Sequence, residues 1–195
     1  MRKIALGLVL STLLVLLFAT LGGCSTRLEA TPTPEMTLVP GSQAVTATLR
    51  TYSDPNGYFT IGYLPEWEVL AVDQQVEFIE PYGKLHILIQ YSDTGQVLDE
   101  GMLRTLIAEY FGVEELVGVS GFQQEGETVY DDGSILVEYS FMTGGVPGYG
   151  STLFQQQGTY LYILSFWVEH RSLWAPNQAF FDAVRGTFVA TPPSP

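Results

Sequence analysis

The amino-acid sequence predicts an α+β domain in which helices flank an antiparallel β-sheet, an α/β/α sandwich. Three observations carry that expectation. Apolar residues repeat with period two in most segments and with helical period in only two. Short turns rich in Gly, Asn and Pro join the period-two segments, as in hairpins. The order of elements is four strands, a helix, three strands, a helix, which suits one sheet covered by helices. With 195 residues, 46% hydrophobic and 13% aromatic, the chain can bury roughly two thirds of its unfolded surface as one domain.

Asp54-Pro55-Asn56-Gly57 is a turn signal, and the first strand, residues 58 to 64, follows it and is closed by Pro65. Further strands are predicted at 68 to 72, 76 to 80 and 84 to 91. The last of these, with Leu85, Ile87 and Ile89 on one face and His86, Leu88 and Gln90 on the other, reads as a central strand. From Asp99 the period changes. Met102, Leu103, Leu106, Ile107, Tyr110 and Phe111 share one helical face, with Asp99 as N-cap and Gly112 as the stop. Strands return at 134 to 142, 152 to 157 and 159 to 169 as an antiparallel meander, connected by a Gly144–Gly148 loop and a tight turn near Gly158. A second helix is predicted from about Pro176, with Phe180, Phe181 and Val184 inward and Gly186 at its end.

The ends of the chain differ in kind from this body. Arg2 and Lys3 precede an apolar run from Ile4 to Thr20, the charged and hydrophobic regions of an export signal. Leu21-Gly22-Gly23-Cys24 follows and resembles a bacterial lipobox, which implies cleavage before Cys24 and acylation of its thiol. A plain signal anchor or an ordinary signal peptide are the alternatives, and the chain's single cysteine stands where lipidation needs it. Domain boundaries follow: 1–23 signal peptide, 24–48 lipid anchor and Thr/Pro-rich spacer, 49–190 folded domain, 191–195 a loose Pro-rich tail. The expected address is the extracytoplasmic face of the cell membrane, held by lipid on Cys24.

Charge restricts the partners. Lys and Arg number 8 against 21 Asp and Glu, a formal −13, and cleavage after residue 23 removes two cations, leaving 6 − 21 = −15. The remaining cations form no patch, so nucleic acid is not an expected partner. Such a surface also repels anionic headgroups, leaving the acyl chains to hold the membrane. One cysteine excludes an internal disulfide.

Two segments carry a family resemblance. Gly57-Tyr58-Phe59-Thr60-Ile61-Gly62-Tyr63-Leu64-Pro65-Glu66-Trp67 resembles the opening of PsbP-like domains, a glycine, an aromatic strand and Pro-x-Trp. Phe181-Asp182-Ala183-Val184-Arg185-Gly186-Thr187-Phe188 is similar to their closing helix and terminal Thr/Ser-Phe, and the strand 160 to 168 sits where that family has its long penultimate strand. The resemblance covers residues 50 to 190 and implies the PsbP-like fold. The theme it implies is non-catalytic docking onto another protein, as in an extrinsic photosystem II subunit or a Ran-binding nuclear transport factor. It implies no metal-binding or docking residue by position.

No nucleophile elbow, phosphate loop, zinc-protease helix or C-x-x-C pair occurs. Gly145-Val146-Pro147-Gly148-Tyr149-Gly150 lies between strands rather than before a helix, which makes it a hairpin connection. His86 and His170 would bind a metal only if folding joined them to Glu169 or Glu138, and no metal or cofactor is expected. The acidic stretch Glu125, Glu127, Asp131, Asp132 matches no calcium loop and reads as a solvated turn, with calcium left open. Ser151 and Ser165 have no base beside them in sequence. The candidate ligand or partner contacts are Tyr149, Trp174 and Trp67, the first two expected to be exposed beside Gly/Pro-rich loops. Trp167, Tyr160, Tyr162 and Phe166 instead suit a central strand covered on both faces. The expected function is a non-enzymatic lipoprotein that docks on or stabilises a membrane-associated protein complex. The alternative is an anchored carrier of a small apolar ligand.

Overall fold

The structure, a computed structural model, describes residues 32–38, 45–112 and 119–193. In chain order the elements are β1 Pro32–Leu38, β2 Val45–Ser53, β3 Phe59–Tyr63, β4 Glu68–Val72, β5 Gln75–Ile79, β6 Leu85–Asp93, α1 Glu100–Gly112, β7 Val119–Val129, β8 Ile135–Thr143, β9 Val146–Gln157, β10 Tyr160–Val168, a 3-10 turn Arg171–Leu173, α2 Trp174–Arg185 and β11 Val189–Ala190. They form a seven-stranded sheet in the order β4-β5-β6-β10-β9-β8-β7 and a four-stranded sheet in the order β1-β2-β3-β11. Every strand pairing among the described residues is antiparallel, so the expected α+β class holds.

β10 organises the whole. All nine of its residues pair with β6 on one side and β9 on the other, from Tyr160 opposite Asp93 and Gln157 to Val168 opposite Leu85 and Tyr149. Because side chains alternate across a sheet, Tyr162, Leu164, Phe166 and Val168 point to one face with Ile87, Ile89, Val76 and Phe78. That face is covered by Leu49, Phe59 and Ile61 of the small sheet and by Trp174, Phe180, Phe181 and Val184 of α2. Leu161 points the other way and packs with Ile135, Val137, Phe154 and the α1 residues Leu103 and Ile107. Each of the fully buried Leu, Val and Phe side chains contributes about 1.5–3 kcal/mol.

Both helices follow their local signals. Asp99 Oδ1 accepts the Met102 N–H at 2.8 Å, the N-cap bond that satisfies one orphan amide of α1. α2 begins at Trp174, two residues before Pro176, because the 3-10 turn feeds directly into it. Gly186 ends it as expected, and Thr187 then joins helix to sheet. The Thr187 hydroxyl donates to Val184 O at 2.6 Å and accepts the Gly62 N–H at 2.7 Å. A side chain thus stands where β3 would otherwise need a longer neighbouring strand, and Phe188 lies against Phe59 and Tyr162.

Four expectations are corrected. Residues 32–38 and 45–48, read as spacer, are β-paired: Leu38 stands opposite Val45 and Pro32 opposite Arg50. Pro and Glu are residues of low strand propensity and the stretch gives no periodic signal, although Pro is tolerated at a sheet edge. The Gly144–Gly148 loop shrinks to the turn Gly144-Gly145, both with positive φ (57° and 84°), and Val146–Gly148 belong to β9. β7 was not expected; its two register shifts, at Ser120/Gln123 and Gln124/Gly126, break the alternation that would have announced it. Thr191 of the tail is held through its N–H to Tyr58 O at 2.7 Å. The signal peptide, lipobox and Cys24 lie outside the described residues, as do residues 194–195. No helix among the described residues is long and apolar enough to cross a membrane.

Gly148 and Gly150 on β9 are needed for close approach. The rings of Phe141 and Tyr139, opposite them on β8, lie over these glycines where a Cβ would stand. Gly150→Ala and Gly148→Ala should each lower unfolding stability by roughly 1–3 kcal/mol, as overpacking does, read by urea denaturation. Thr187→Val should cost about 1–3 kcal/mol by leaving the Gly62 amide without an acceptor, while Thr187→Ser retains most of the stability.

Candidate functional site

Folding does bring Tyr149 and Trp174 together, with ring centroids 5.0 Å apart, yet it does not leave Trp174 exposed. Trp174 is 9% exposed and stacks on Phe181 at 5.4 Å. Tyr149 is half-buried beneath the Arg171 guanidinium, 4.8 Å above its ring. Trp67, 6% exposed, packs on Phe180 at 5.4 Å. The expectation of exposed aromatics is therefore corrected for Trp174: as the first residue of α2 it points into the sheet, where apolar area is removed from water. A Gly/Pro-rich neighbourhood says where a loop is, not which way the next helix turns its first side chain.

Arg171 reaches from the 3-10 turn to the sheet edge, donating to both carboxylate oxygens of Glu125 at 2.6 Å each. That fork holds the Glu125 carboxyl down at about 2, the guanidinium favouring the ionised form, with a Ser140 hydrogen bond adding to it. Burial raises the Tyr149 phenol, helped by the charges of Glu138 and Glu125. Glu127 of the same acidic stretch bonds Arg104, and Asp132 accepts the Ser134 N–H and hydroxyl at 2.9 and 2.6 Å. Three of its four carboxylates thus have protein partners, and the stretch is strand and turn rather than a cation loop.

The two histidines take separate roles. His86, on β6, is fixed between Glu77 Oε1 and Gly83 O, each 3.1 Å from a ring nitrogen. Its ring stacks on Trp167 at 4.7 Å with the planes 4° apart, and Glu169 is 3.9 Å away. His170 stands exposed before the 3-10 turn. Among the described residues no three His, Cys, Asp or Glu side chains gather as metal ligands. Ser165 bonds Thr152 Oγ1 at 2.9 Å and faces Tyr110 OH at 3.4 Å, a hydroxyl chain inside the α1 core. Ser151 Oγ is buried without a hydrogen-bond partner. Burial first, and then the neighbouring tyrosines and Asp54, push Tyr162 up to about 12, and its hydroxyl donates to Tyr58 O at 3.0 Å. Tyr162 is thus a structural group held neutral in the core.

A surface feature absent from the sequence reading stands at one end of the large sheet. There the β6–α1 connection, the β7–β8 turn and the β9–β10 turn converge: Thr94 N–H donates to Thr159 O at 2.8 Å, and Gln156 bonds both Leu98 N–H and Gln96 O at 2.8 and 2.9 Å. A shallow cavity of about 220 Å³ opens among them, lined by Val97, Leu98, Leu103 and Val129 with Asp99, Glu100 and Asp132. Of these, Val97 is 72% exposed and Val129 46%. Loops far apart in sequence, residues 93–100, 129–134 and 156–159, build this surface, so no contiguous motif announces it.

No family model and no curated protein matches the chain. Solved structures do. The cyanobacterial PsbP protein CyanoP of Synechocystis aligns with a TM-score of 0.60 at 16% identity, over 78% of this chain and 97% of that one. The Ran-binding protein Mog1p of Saccharomyces cerevisiae aligns with a TM-score of 0.52 at 10% identity, over 74% and 96%. A Pseudomonas aeruginosa protein of unknown function, PA94, aligns with a TM-score of 0.50 at 12% identity, over 74% and 99%. At these identities the likeness is one of architecture, and the architecture of this chain is the PsbP-like fold.

Proposed function

We propose that this protein is a lipid-anchored, extracytoplasmic and non-catalytic domain that docks on or stabilises a membrane-associated protein complex. The observation that carries the docking reading is the cavity end of the large sheet. Among the described residues, the exposed Val97 and Val129 line a concave surface there together with Leu98 and Leu103. Clustered exposed apolar side chains ringed by polar ones mark interaction surfaces. His86, Glu125, Glu127 and Asp132 are engaged in ion pairs, ring stacking or turn hydrogen bonds rather than in activating a nucleophile.

The anchor half of the reading rests on Cys24 and its lipobox. Pro32 is already β-paired, so eight residues separate it from Cys24, a reach of at most about 28 Å. The tether is thus shorter than a spacer running to residue 48. β1 enters beside Arg50 and Tyr63, and β3 leads from Tyr63 to β4 at the end of the large sheet remote from the cavity. A domain tethered that way holds the cavity end outward from the bilayer, available to a neighbouring complex.

The carrier alternative would put a ligand between the large sheet and α2. Trp67, Trp174, Phe180 and Phe181 fill that space with ring contacts of 5.4–5.6 Å, which favours docking. Mass spectrometry of the mature N-terminal peptide from native membranes should find it beginning at Cys24 and carrying a diacylglyceryl group. In Cys24→Ser that modification and the cleavage before residue 24 should both be lost. An unmodified Cys24 thiol in the wild-type chain would overturn the anchor, and a chain that cross-links to no protein in intact membranes would overturn docking.

A further inference from the structure

The cavity end sets acidic side chains beside apolar ones. Asp99, Glu100 and Asp132 line the cavity, and Asp93, Glu127 and Asp131 are exposed around it. Against these six carboxylates stands Arg104. Among the described residues the other cations are Arg50, Lys84, Arg171 and Arg185. Arg50 and Lys84 belong to the opposite end, where Arg50 pairs with Tyr63 and Lys84 O accepts the Glu169 N–H. Arg171 and Arg185 are held by Glu125 and Asp182. Arg104 is itself committed, bonded to Glu100 at 2.9 Å and to Glu127. Carboxylates thus outnumber the one cation at this end, as they outnumber cations over the rest of the described residues.

The size of the cavity limits its occupant. At about 220 Å³ it lies below the roughly 300 Å³ at which small-molecule pockets begin. One long side chain fits such a space. The walls also divide by chemistry: Val97, Leu98, Leu103 and Val129 offer an apolar lining for a methylene stem, and Glu100 and Asp132 offer carboxylate oxygens at its rim. Lys and Arg are the side chains built in that way, an apolar stem carrying a cationic head.

We propose that the cavity receives a Lys or Arg side chain from a basic segment of the partner protein, flanked by apolar residues that cover Val97 and Val129. This rests on the docking reading and names the chemistry of its partner. Apolar contact supplies affinity, and the carboxylates select a cation and steer its approach. A second copy of this chain is excluded as occupant, since two such acidic ends repel each other.

The test uses the full-length chain in zwitterionic nanodiscs, observed by methyl NMR. The probe is an acetylated, amidated heptapeptide with a central Lys, two flanking Val and Ser elsewhere. Control peptides carry Glu or norleucine in place of Lys. The Lys peptide should shift the Val97, Leu98, Leu103 and Val129 methyl signals and half-saturate at roughly a tenfold lower concentration than either control. Binding should weaken as salt is raised. Val97→Ser and Glu100→Gln, at exposed positions, should each weaken it several-fold, and Tyr82→Ser, at the opposite end and 83% exposed, should leave it unchanged. Equal binding of the Lys and norleucine peptides, or shifts spread over the whole surface, would overturn the proposal. Photo-cross-linking in intact membranes separates the two levels. Capture of a partner from position 82 and not from 97 overturns the cavity assignment while leaving docking standing, and capture from neither overturns docking itself.

Discussion

β10 has to bury both of its faces, and most of the architecture follows from how that is done. Tyr162, Leu164, Phe166 and Val168 need a cover on one side, and Leu161 and Ile163 need one on the other. A single helix is too narrow for the first task, because the apolar face extends across β5, β6 and β10 as well as β9. α2 covers the β9–β10 part, and the four-stranded sheet covers the rest. On the second face α1 packs on β8–β9–β10, where Leu103 and Ile107 meet Phe154 and Leu161, and touches β6 through the Tyr110 hydroxyl, which donates to Gln90 at 3.2 Å. β4, at the uncovered edge, keeps Leu70 and Val72 exposed.

Attachment of the two covering layers sets what is left for function. The small sheet and α2 are joined by Thr187, whose hydroxyl is shared between Val184 O and the Gly62 N–H, and by Phe188 against Phe59 and Tyr162. The closing Thr-Phe pair thus has a mechanical reason independent of any partner. Arg171 and Glu125 do similar work at the edge, tying the turn before α2 to β7. Conserving energy in this way occupies the charged and aromatic groups that a sequence reading would nominate as contacts. The loops at the cavity end lie outside these ties, as irregular segments on a rigid scaffold commonly do.

The parts of the fold legible in sequence were those whose burial is strictly periodic. β6 and β10 bury side chains on both faces and α1 and α2 carry continuous apolar stripes, so their residues announce their partners. The parts that were not legible bury little or are irregular. β1 and β2 begin in a Thr/Pro-rich stretch whose pairing is made by backbone groups, and β7 carries two register shifts that scramble alternation. Trp174 and Tyr149 show the same limit at the site. Their proximity needs the chain between them to cross β9, β10 and the 3-10 turn, and the direction of the Trp174 side chain is decided by Phe181 and the sheet beneath it.

By itself the sequence determined the fold class, the positions of both helices, the meander from β8 to β10, and the lipobox cysteine as the expected point of attachment. Those features depend on neighbours in the chain: periodicity, caps, turn residues and a four-residue motif. Only the tertiary structure decided that Trp67 and Trp174 belong to the core, that residues 32–38 pair with β2, and that Val97, Leu103, Val129, Glu100 and Asp132 share one cavity. Each of these depends on residues tens of positions apart being brought into contact by the sheet, and a linear pattern does not record that distance.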